Sequence, residues 1–416
     1  MDNILPLPFI PAVDLNTLRS ESHVGITAQQ LACLGCAYIT ATSSNIDEIF
    51  QFIKKYQRLM ICLDVREIMS IDDITSFLDA GITRAFVTAS QATALKPYSE
   101  RLVLIQDDRH PSDSEYSTNG ILIEFPTDAA ESEIKHRIVA ADRVSPIYIT
   151  RPESNISSYV SLGKQYSVIP IIPTSNLMVG PADIPGKISV SKYLAQCWNS
   201  DREDHLMPTI VTDSRGISLG LVYSSEESLQ ESLRTGTGVY QSRKRGLWYK
   251  GATSGNTQTL IQISLDCDQD CLKFVVEQNG KGFCHLPQST CFGNLQGLSK
   301  LEQTLVARKS SAPEGSYTAR LFSDEKLLRA KIMEEAEELC DAESREAIAF
   351  EAADLIYFAL AKAVGAGVTL ADIEQNLDSK SLKVKRRQGD AKGQWAAREG
   401  IAVSTVNTEA TEQCPS

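Results

Sequence analysis

The sequence predicts a multidomain chain in which an α/β domain is followed by an α+β domain and then by an all-α helical domain. The length of 416 residues suits two or three domains rather than one. Short apolar runs alternate with amphipathic stretches up to about residue 200, strand-like runs with glycine turns follow, and helical patterns dominate after residue 316. We therefore place domains at 1–200, 201–297 and 316–390, with a linker segment at 298–315 that begins as a helix, and a polar, disordered tail at 391–416.

The composition argues against several classes of function. A formal net charge of −12 disfavours nucleic acid or an anionic membrane as the main partner, although bound metal could still attract a phosphorylated substrate. The chain contains no run of 18 apolar residues, and its N-terminus lacks the features of a signal peptide, so we expect a cytoplasmic protein. The ten cysteines are scattered through a long chain, which favours free thiols or metal ligands over disulfides.

The N-terminal domain is predicted from apolar runs that alternate with helical patterns. The runs lie at 9–15, 36–42, 59–65, 84–90, 101–107 and 166–172. Such alternation is typical of βαβ units and a mostly parallel sheet. Cys33 and Cys36 form a CxxC pair inside an apolar, helical-looking stretch, which we interpret as core rather than as a redox or metal site. These residues contain no recognisable catalytic constellation.

The middle domain carries a dense group of aspartates and cysteines. Carboxylates suit a hard cation such as Mg²⁺, and thiolates suit a catalytic Zn²⁺ that keeps one position open. On a strand, residues two apart point the same way, so the aspartates would face one side and the cysteine between them the other. The candidate magnesium ligands are Asp266, Asp268 and Asp270. The candidate zinc ligands are Cys267, Cys284 and Cys291. The alternative is a solvated acidic loop with incidental cysteines.

The sequence around this group resembles phosphoribosyl-AMP cyclohydrolases over about residues 201–297. The resemblance is carried by RKRGLWYKGATSGN at 243–256, DCDQD at 266–270 and GFCHLPQSTCF at 282–292. It implies Zn²⁺ on the three cysteines, Mg²⁺ on the three aspartates, and an acid/base role for His285. The implied reaction is zinc-dependent, hydrolytic opening of the purine ring of phosphoribosyl-AMP, at a site shared across a homodimer interface. By residue type and loop position, the substrate-binding candidates are Arg243, Trp248, Lys250, Ser254 and Gly255.

The C-terminal domain carries a second group of acids on predicted helices, with Asp324 as a candidate cap. At 100° per residue, and with Glu334 as zero, Glu338 falls near 40° and Glu335 near 100°, so all three border the apolar face. On the next helix, Glu351 and Asp354 are three residues apart and lie among apolar neighbours. Acids within an apolar face are costly unless paired or metal-bound, which favours a divalent cation. The alternative is a solvated glutamate face.

The pattern Glu-Glu-x-x-Glu followed by Glu-x-x-Asp resembles the all-α nucleotide pyrophosphohydrolases. The flanking segments TARLF at 318–322 and EAADLIY at 351–357 resemble phosphoribosyl-ATP pyrophosphohydrolase, over about residues 316–390. The resemblance implies that Mg²⁺ promotes release of pyrophosphate from phosphoribosyl-ATP, with Glu351 assisting. The implied magnesium ligands are Glu334, Glu335, Glu338 and Asp354. Lys331, and also the basic run at 383–387, are candidates for contact with phosphate.

The order of the two resemblances is similar to the front part of the fungal trifunctional histidine biosynthesis proteins. It implies two consecutive steps of one pathway, in which the product of the C-terminal domain is the substrate of the middle domain. We assign no histidinol dehydrogenase activity to these residues. The N-terminal domain faintly resembles a (β/α)₈ isomerase of that pathway, and its length favours a partial or degenerate barrel that acts as a scaffold.

Two other functions are compatible with parts of the pattern. A house-cleaning nucleotide pyrophosphatase with an accessory zinc domain would explain the helical carboxylates but not a second hydrolytic centre. A metal-binding scaffold with decayed sites would explain the composition but not two complete sets of candidate ligands.

Overall fold

The structure is a computed structural model. Its three domains follow one another in chain order. It describes residues 5–19, 25–106, 118–126, 129–141, 146–151, 156–180, 184–286, 288–313, 315–385, 393–398 and 400. The basic run at 383–387 is therefore described only to residue 385, and most of the predicted tail lies outside the described residues.

The N-terminal domain is a closed barrel of eight parallel strands in sequential order. Its strands are β1 (Ile10–Ala12), β2 (Cys36–Thr40), β3 (Met60–Asp64), β4 (Arg84–Val87), β5 (Leu102–Ile105), β6 (Ile121–Glu124), β7 (Ile147–Thr150) and β8 (Val168–Pro173). The first helices are α1 (Leu15–Arg19), α2 (Ala28–Leu34), α3 (Ile46–Lys55), α4 (Ile71–Ala80), α5 (Ala89–Ala94), α6 (Glu131–Ala141) and α7 (Ile156–Tyr166). After β8, the short strands β9 (Leu177–Met178) and β10 (Ile188–Ser189) lead into α8 (Val190–Cys197).

The expectation of a partial barrel was wrong, because the barrel closes by pairing of β1 with β8. Closure within so few residues is possible because the strands are three to six residues long and the helices between them have at most 11 residues. The apolar runs used for the prediction missed β6 and β7.

The barrel interior is filled by apolar side chains, as expected for a packed core rather than a pore. Phe86 packs edge-on against Tyr38 and Tyr148, with ring centroids 5.1 and 5.0 Å away. Cys33 and Cys36 are fully buried, which confirms that this CxxC pair belongs to the core. At the carboxyl ends of the strands, Arg66 pairs with both Asp64 and Glu124.

The middle domain is a four-stranded mixed sheet with one helix and a small hairpin. Its elements are β11 (Met207–Thr212), β12 (Ser218–Ser224), α9 (Glu226–Thr235), β13 (Val239–Ser242), β14 (Gly246–Tyr249), β15 (Gln258–Leu265) and β16 (Leu272–Gln278). The sheet order is β12-β11-β16-β15, with β11 and β16 parallel and the other pairs antiparallel. The sheet shares one hydrophobic core with the outside of the barrel, because α2 packs on β15.

The C-terminal domain is helical, as predicted. It comprises α10 (Gly297–Ser311), α11 (Tyr317–Ser323), α12 (Glu325–Asp341), α13 (Arg345–Gly365), α14 (Leu370–Ser381) and α15 (Gly393–Arg398). Asp324 caps α12 by accepting a hydrogen bond from the backbone amide of Leu327 at 2.9 Å. None of the helices in the described ranges combines the length and the apolar character needed to cross a lipid bilayer.

Two segments contribute more to the helical domain than a linker and a tail would. The helix expected in the 298–315 segment is α10, and it belongs to the helical core, where Leu305 is buried against α11 and α13. Within the 391–416 segment, α15 is ordered because Ala396 is buried and Arg398 pairs with Glu337 on α12. Both segments have polar sequences, and their order comes from contacts with distant helices.

The helical domain is fastened to the other two domains by polar contacts. Arg215 of the middle domain donates two hydrogen bonds to the carboxylate of Glu374 on α14, both at 2.8 Å. Asp79 on α4 of the barrel accepts hydrogen bonds at 2.7 Å from the backbone amides of Val384 and Lys385. Arg101 of the barrel also donates to the carbonyl oxygen of Leu382.

Candidate metal centres and active sites

Two carboxylate clusters lie in two different domains. Among the described residues, they are the groups of three or more His, Cys, Asp or Glu side chains whose ligand atoms converge closely enough to hold a metal ion. Within each cluster, one ligand oxygen from every residue lies within 4.8 Å of the others. The middle-domain cluster is Asp266, Asp268 and Asp270, and the helical cluster is Glu335, Glu338 and Glu351.

The aspartate cluster lies on the loop between β15 and β16. The prediction that these aspartates alternate along a strand was wrong, because β15 ends at Leu265 and β16 begins at Leu272. The loop turns at Gln269, whose φ of 64° is left-handed, and Asp266 Oδ1 accepts from the amides of Asp270 and Cys271 at 3.0 Å each. The turn, rather than strand alternation, brings the three carboxylates together.

The chemistry of this cluster fits a hard cation. All three aspartates are exposed, and the contacts of Asp270 with Asp266 and Asp268 raise the pKa of Asp270 above its usual range. Three carboxylates in contact repel one another unless a proton or a cation lies between them. Oxygen ligands at this spacing are those that Mg²⁺ prefers.

Cys284, Cys291 and His285 lie together on the segment that follows β16. Gly282 has φ 133°, and a Cβ there would lie 2.3 Å from the carbonyl oxygen of Gln288, so the close turn requires glycine. The turn buries Cys284, whose Sγ is 3.8 Å from His285 Nδ1. Burial, followed by the contact with Cys284, raises the pKa of the Cys291 thiol. This segment therefore presents two thiols and an imidazole in one place.

The third predicted zinc ligand does not join them within one chain. Cys267 is exposed on the aspartate loop, and among the described residues it forms no ligand group with Cys284 and Cys291. The predicted three-cysteine site is therefore incomplete in a single copy of the chain, where two of its three sulfur ligands come together.

The predicted substrate-binding residues divide into two positions. Lys250 is 8 % exposed and lies close to the cysteine pair, with Nζ 5.0 Å from the centre of the Phe283 ring. Burial lowers the pKa of Lys250. Trp248 lies beside it, with its ring centre 5.9 Å from Lys250 Nζ. Arg243 instead stacks on Tyr223, 4.9 Å from that ring centre, at the β13–β14 turn.

The loop after Lys250 carries the remaining candidates, Ser254 and Gly255, both exposed to solvent. It begins at Gly251, where φ is 83° and a Cβ would lie 2.3 Å from the carbonyl carbon of Asn256. The amide of Gly255 donates to the carbonyl of Gly251 at 2.8 Å, which closes a tight turn. The turn holds the two candidates on a compact, solvent-facing loop next to Lys250.

The helical cluster lies where α12 packs against α13. Glu335 is 4 % exposed, which is unusual for a carboxylate, and it faces Glu351 across the helix pair. Burial and the nearby carboxylates of Glu338 and Glu335 raise the pKa of Glu351. Glu351 Oε2 is buried and has no hydrogen-bond partner among the described residues. A buried oxygen without a partner, next to two more acids, fits a divalent cation.

Three other predicted residues surround this cluster without joining its closest group. Lys331 Nζ pairs with Glu335 at 2.7 Å and Glu334 at 3.0 Å, and these contacts raise the pKa of Lys331. Asp354 lies near enough to Glu351 to contribute to its raised pKa. The helical projection therefore identified correctly which side of α12 carries the acids of the cluster. Glu337 lies on the other side of α12 and pairs with Arg398.

Sequence reasoning missed one residue that contacts the aspartate loop. Asn199 follows α8, and its side-chain Nδ2 donates to the carbonyl of Asp268 at 2.6 Å while its backbone amide donates to the carbonyl of Gln269 at 2.9 Å. These partners are about 70 residues apart in sequence, and no local pattern around Asn199 signals them.

Comparison with protein families gives one match for the middle domain and one for the helical domain. The family model for Phosphoribosyl-AMP cyclohydrolase matches residues 220–293, which include the aspartate loop and the cysteine segment. The family model for Phosphoribosyl-ATP pyrophosphohydrolase matches residues 298–381, which include α10 and the helical cluster. Neither match extends into the N-terminal barrel.

Similar curated proteins cover the chain to different extents. The Histidine biosynthesis trifunctional protein of Neurospora crassa is 49 % identical over 415 residues, which are 99 % of this chain and 48 % of that protein. The Histidine biosynthesis bifunctional protein his7 of Schizosaccharomyces pombe is 45 % identical over 423 residues, which are 97 % of this chain and all of that protein. The Histidine biosynthesis bifunctional protein HisIE of Pyrococcus furiosus is 35 % identical over 207 residues, covering 46 % of this chain and 98 % of that protein. The chain thus spans about half of the trifunctional relative and the whole of his7.

Proposed function

The chain belongs to the family of histidine biosynthesis bifunctional proteins, and from this we propose that it carries out two consecutive hydrolyses in the cytoplasm. The helical domain converts phosphoribosyl-ATP to phosphoribosyl-AMP and pyrophosphate. The middle domain then opens the purine ring of phosphoribosyl-AMP to the formimino carboxamide ribotide. A house-cleaning pyrophosphatase is disfavoured, because residues 220–293 match a cyclohydrolase family.

We propose that the helical cluster holds Mg²⁺ for the first hydrolysis. Glu335 and Glu338 would be the central ligands, with Glu334 and Asp354 completing the set from the same two helices. Bound Mg²⁺ neutralises charge on the leaving pyrophosphate. This assignment is supported by the buried position of Glu335 and by the unpartnered oxygen of Glu351.

The side chains of this domain then have distinct tasks. Glu351 accepts the proton of the attacking water, because a raised pKa brings a carboxylate closer to the range suited to a general base. Lys331 pairs with Glu334 and Glu335, and it would be available to a phosphate oxygen of the substrate if a cation satisfied those carboxylates.

For the second hydrolysis, we propose Zn²⁺ on Cys284, Cys291 and a Cys267 from a second copy of the chain. Bound Zn²⁺ supplies the Lewis acidity that makes water nucleophilic near neutral pH. His285, next to Cys284, is the acid/base group of this step and accepts and releases a proton at its ring nitrogen. The aspartates Asp266, Asp268 and Asp270 hold Mg²⁺ on the same loop as Cys267.

Substrate binding in the middle domain is assigned to the loop beside the cysteine pair. Lys250 lies at the base of that loop and provides a positive charge close to the proposed zinc ligands. Ser254 and Gly255 offer a hydroxyl and a backbone amide for phosphate, and Trp248 offers an aromatic face for the purine. Arg243, which stacks on Tyr223 and not beside the cysteine pair, binds the other phosphate of the substrate.

A homodimer is the assembly that completes this site. Two observations favour it: the zinc ligands are divided within one chain, and large apolar side chains stay exposed beside them, including Phe292 at 68 % and Leu221 at 55 %. The helical domain similarly exposes Phe350, Ile348 and Ile356 on α13. A twofold interface is self-complementary, so each copy would contribute one cysteine to the site of the other.

The barrel is proposed to be a scaffold rather than a third catalytic centre. In a (β/α)₈ barrel, catalytic groups lie at the carboxyl ends of the strands. Here Asp64 and Glu124, two of the described acids at that end, are both paired with Arg66. The outside of the barrel carries the contacts with both other domains.

The observation that carries the proposal is the presence of two separate metal-ligand clusters in two domains that match two different hydrolase families. The test is an assay of the purified chain with phosphoribosyl-ATP, Mg²⁺ and trace Zn²⁺, in which pyrophosphate and the ultraviolet spectrum are followed together. Pyrophosphate release followed by the spectral change of ring opening is expected. If neither signal appears in protein shown to hold both metals, the two-step proposal is wrong.

A further inference from the structure

The loop that carries the aspartate cluster is held from outside by Asn199. The carbonyl oxygens of Asp268 and Gln269, at the tip of the loop, accept hydrogen bonds from the side chain and the backbone amide of Asn199. Asn199 belongs to the segment that leaves the barrel domain, directly after α8 and Trp198. One residue of the N-terminal part thus contacts two consecutive carbonyls of a loop in the middle domain.

One backbone hydrogen bond, from the amide of Asp266 to the carbonyl of Cys271 at 3.1 Å, closes the base of this loop. The other two internal hydrogen bonds depend on the side chain of Asp266. The amides of Asp270 and Cys271 both donate to Oδ1 of Asp266, which is itself one of the three clustered acids. The loop is exposed, contains a left-handed non-glycine residue at Gln269, and brings like charges together. Each of these features favours opening of the loop unless another segment holds it.

The strand that leads into the loop also rests on the barrel domain. The amide of Leu265, the last residue of β15, donates to the carbonyl of Pro6 at 2.8 Å. Farther back on β15, the carbonyl of Leu260 accepts from the thiol of Cys33 on α2 at 3.6 Å. The barrel domain therefore supports the loop at its tip, through Asn199, and at its start, through Pro6.

Asn199 is itself firmly placed by the helix before it. Tyr193 on α8 is 1 % exposed, packs edge-on against Phe9 with ring centres 5.2 Å apart, and donates to the carbonyl of Pro8. These contacts fix α8 to the first strand of the barrel, so its C-terminal end has a defined position. The exposed Asn199 amide is thereby presented to the loop by a buried framework.

We propose that Asn199 is a positioning residue through which the barrel domain holds the Asp266–Asp270 loop in its cation-binding shape. The amide does not touch the cation or the substrate. It fixes the carbonyls of Asp268 and Gln269, and through them the directions of the neighbouring carboxylates. This inference rests on the proposed function in taking the loop as a cation site, and it gives the N-terminal domain a role in the ring-opening step.

The first test measures the loop without metal or substrate. Hydrogen exchange of peptides that cover 266–271 is compared in metal-free full-length protein and in Asn199→Ala. Exchange is expected to be about fivefold faster in the variant, the factor for loss of one ordinary hydrogen bond. The matched control is Asn119→Ala, which removes a partly exposed asparagine that also donates to a backbone carbonyl, that of Glu100, but lies in the barrel away from the loop.

The second test measures cation binding directly, with Mn²⁺ as the probe. Chains that carry Glu335→Gln and Glu338→Gln, to silence the helical cluster, are titrated with Mn²⁺ and followed by electron paramagnetic resonance. Asn199→Ala is expected to raise the dissociation constant about fivefold. Asn199→Gln, which keeps an amide donor, is expected to recover part of the loss, whereas Asn119→Ala should bind as the parent chain does.

Three results would overturn the positioning role. One is unchanged loop exchange in Asn199→Ala, and another is an equal change in Asn119→Ala. The third is faster loop exchange with an unaltered Mn²⁺ constant, which would leave Asn199 a merely structural contact. Failure of the parent chain to bind Mn²⁺ at the loop would instead remove the proposed cation site, and the exchange result would still show whether Asn199 holds the loop.

Discussion

The carboxylate oxygens of Glu335 on α12 and Glu351 on α13 lie within 4.8 Å of each other across the helix pair. Both residues are acids, and Lys331 is paired with Glu335 but not with Glu351 among the described contacts. The two helices thus meet around an excess of negative charge. A cation between them would convert this repulsion into a link between the helices.

Glu335→Gln should abolish pyrophosphate release while ring opening of supplied phosphoribosyl-AMP continues. We expect the rate of the first step to fall at least about a hundredfold. That is the upper end of the loss caused by removing a residue that only supports a metal ligand, and Glu335 is proposed as a ligand itself. Pyrophosphate and ring opening are measured separately, each with its own substrate. Glu337→Gln, on the opposite side of the same helix, is the control and should retain both steps. Equal loss in the two variants would contradict the assignment of this cluster.

Mg²⁺ should stabilise the metal-free chain, and the helical cluster should account for a defined part of this effect. A ligand present at a hundred times its dissociation constant stabilises the folded state by about 2.7 kcal/mol. Thermal unfolding is measured with and without Mg²⁺ in Asp268→Asn, which removes the contribution of the middle-domain cluster. Adding Glu351→Gln should shrink the shift, because this removes an acid next to the proposed cation whose Oε2 is buried and has no hydrogen-bond partner among the described residues. An undiminished shift would place the ion elsewhere.

Cys267→Ala and Cys284→Ala should each lose ring opening and should complement each other when expressed together. In a twofold dimer with shared sites, a mixed dimer keeps one intact site of two, and half of the dimers are mixed. About a quarter of the normal ring-opening activity is therefore expected in the mixture. Pyrophosphate release should be unchanged throughout and serves as the internal control. If the mixture stays inactive, the three cysteines do not form one site across two chains.

Alkylation should separate the cysteines of the barrel from those of the proposed zinc site. Burial raises the pKa of Cys33 to about 12, so about one thiol in ten thousand is ionised at pH 8. Cys267 and Cys340 are exposed and should react with iodoacetamide in the native, metal-free chain, as followed by mass spectrometry. Addition of Zn²⁺ should protect Cys267 but not Cys340. Rapid labelling of Cys33 in folded protein would contradict the packing of α2.

The same pKa gives the sign of an alkaline effect. The unfolded thiol ionises at its usual pKa near 9, whereas the buried thiol of Cys33 holds its proton to about 12. The stability contributed by the neutral thiol is therefore complete below pH 9 and falls as the pH rises toward 12. The urea midpoint, followed by circular dichroism, should decline over this interval, and less so in Cys33→Ala than in the parent chain. An equal decline in both chains would show that other groups control alkaline unfolding.

The predictable parts of the fold were those with a strong local period. The helical C-terminal domain was predicted, because helical patterns dominate after residue 316 and correspond to α12 and α13. Closure of the barrel was not predicted, because the apolar runs covered six of its eight strands and missed β6 and β7. Barrel closure depends on the pairing of β1 with β8, which no local pattern reports.

The candidate sites show the same division. The three aspartates and the three glutamates of the clusters were predicted from spacing and residue type, because carboxylate side chains are themselves ligands for divalent cations. The strand argument for the aspartates was wrong, because Asp266 forms a turn with its own side chain rather than continuing β15. Asn199 and the partners of Arg215 were missed, because contacts across long sequence distances leave no local signature.

The contacts of Asp79 with Val384 and Lys385, and of Arg101 with Leu382, join residues that are 281 to 306 positions apart. A ribosome exposes the barrel long before it exposes the end of α14, so these contacts form on a surface that has already folded. The helical domain thus docks onto the barrel after the barrel itself has been made. Until the end of α14 docks, the barrel face that carries Asp79 and Arg101 stays open to solvent and to other proteins.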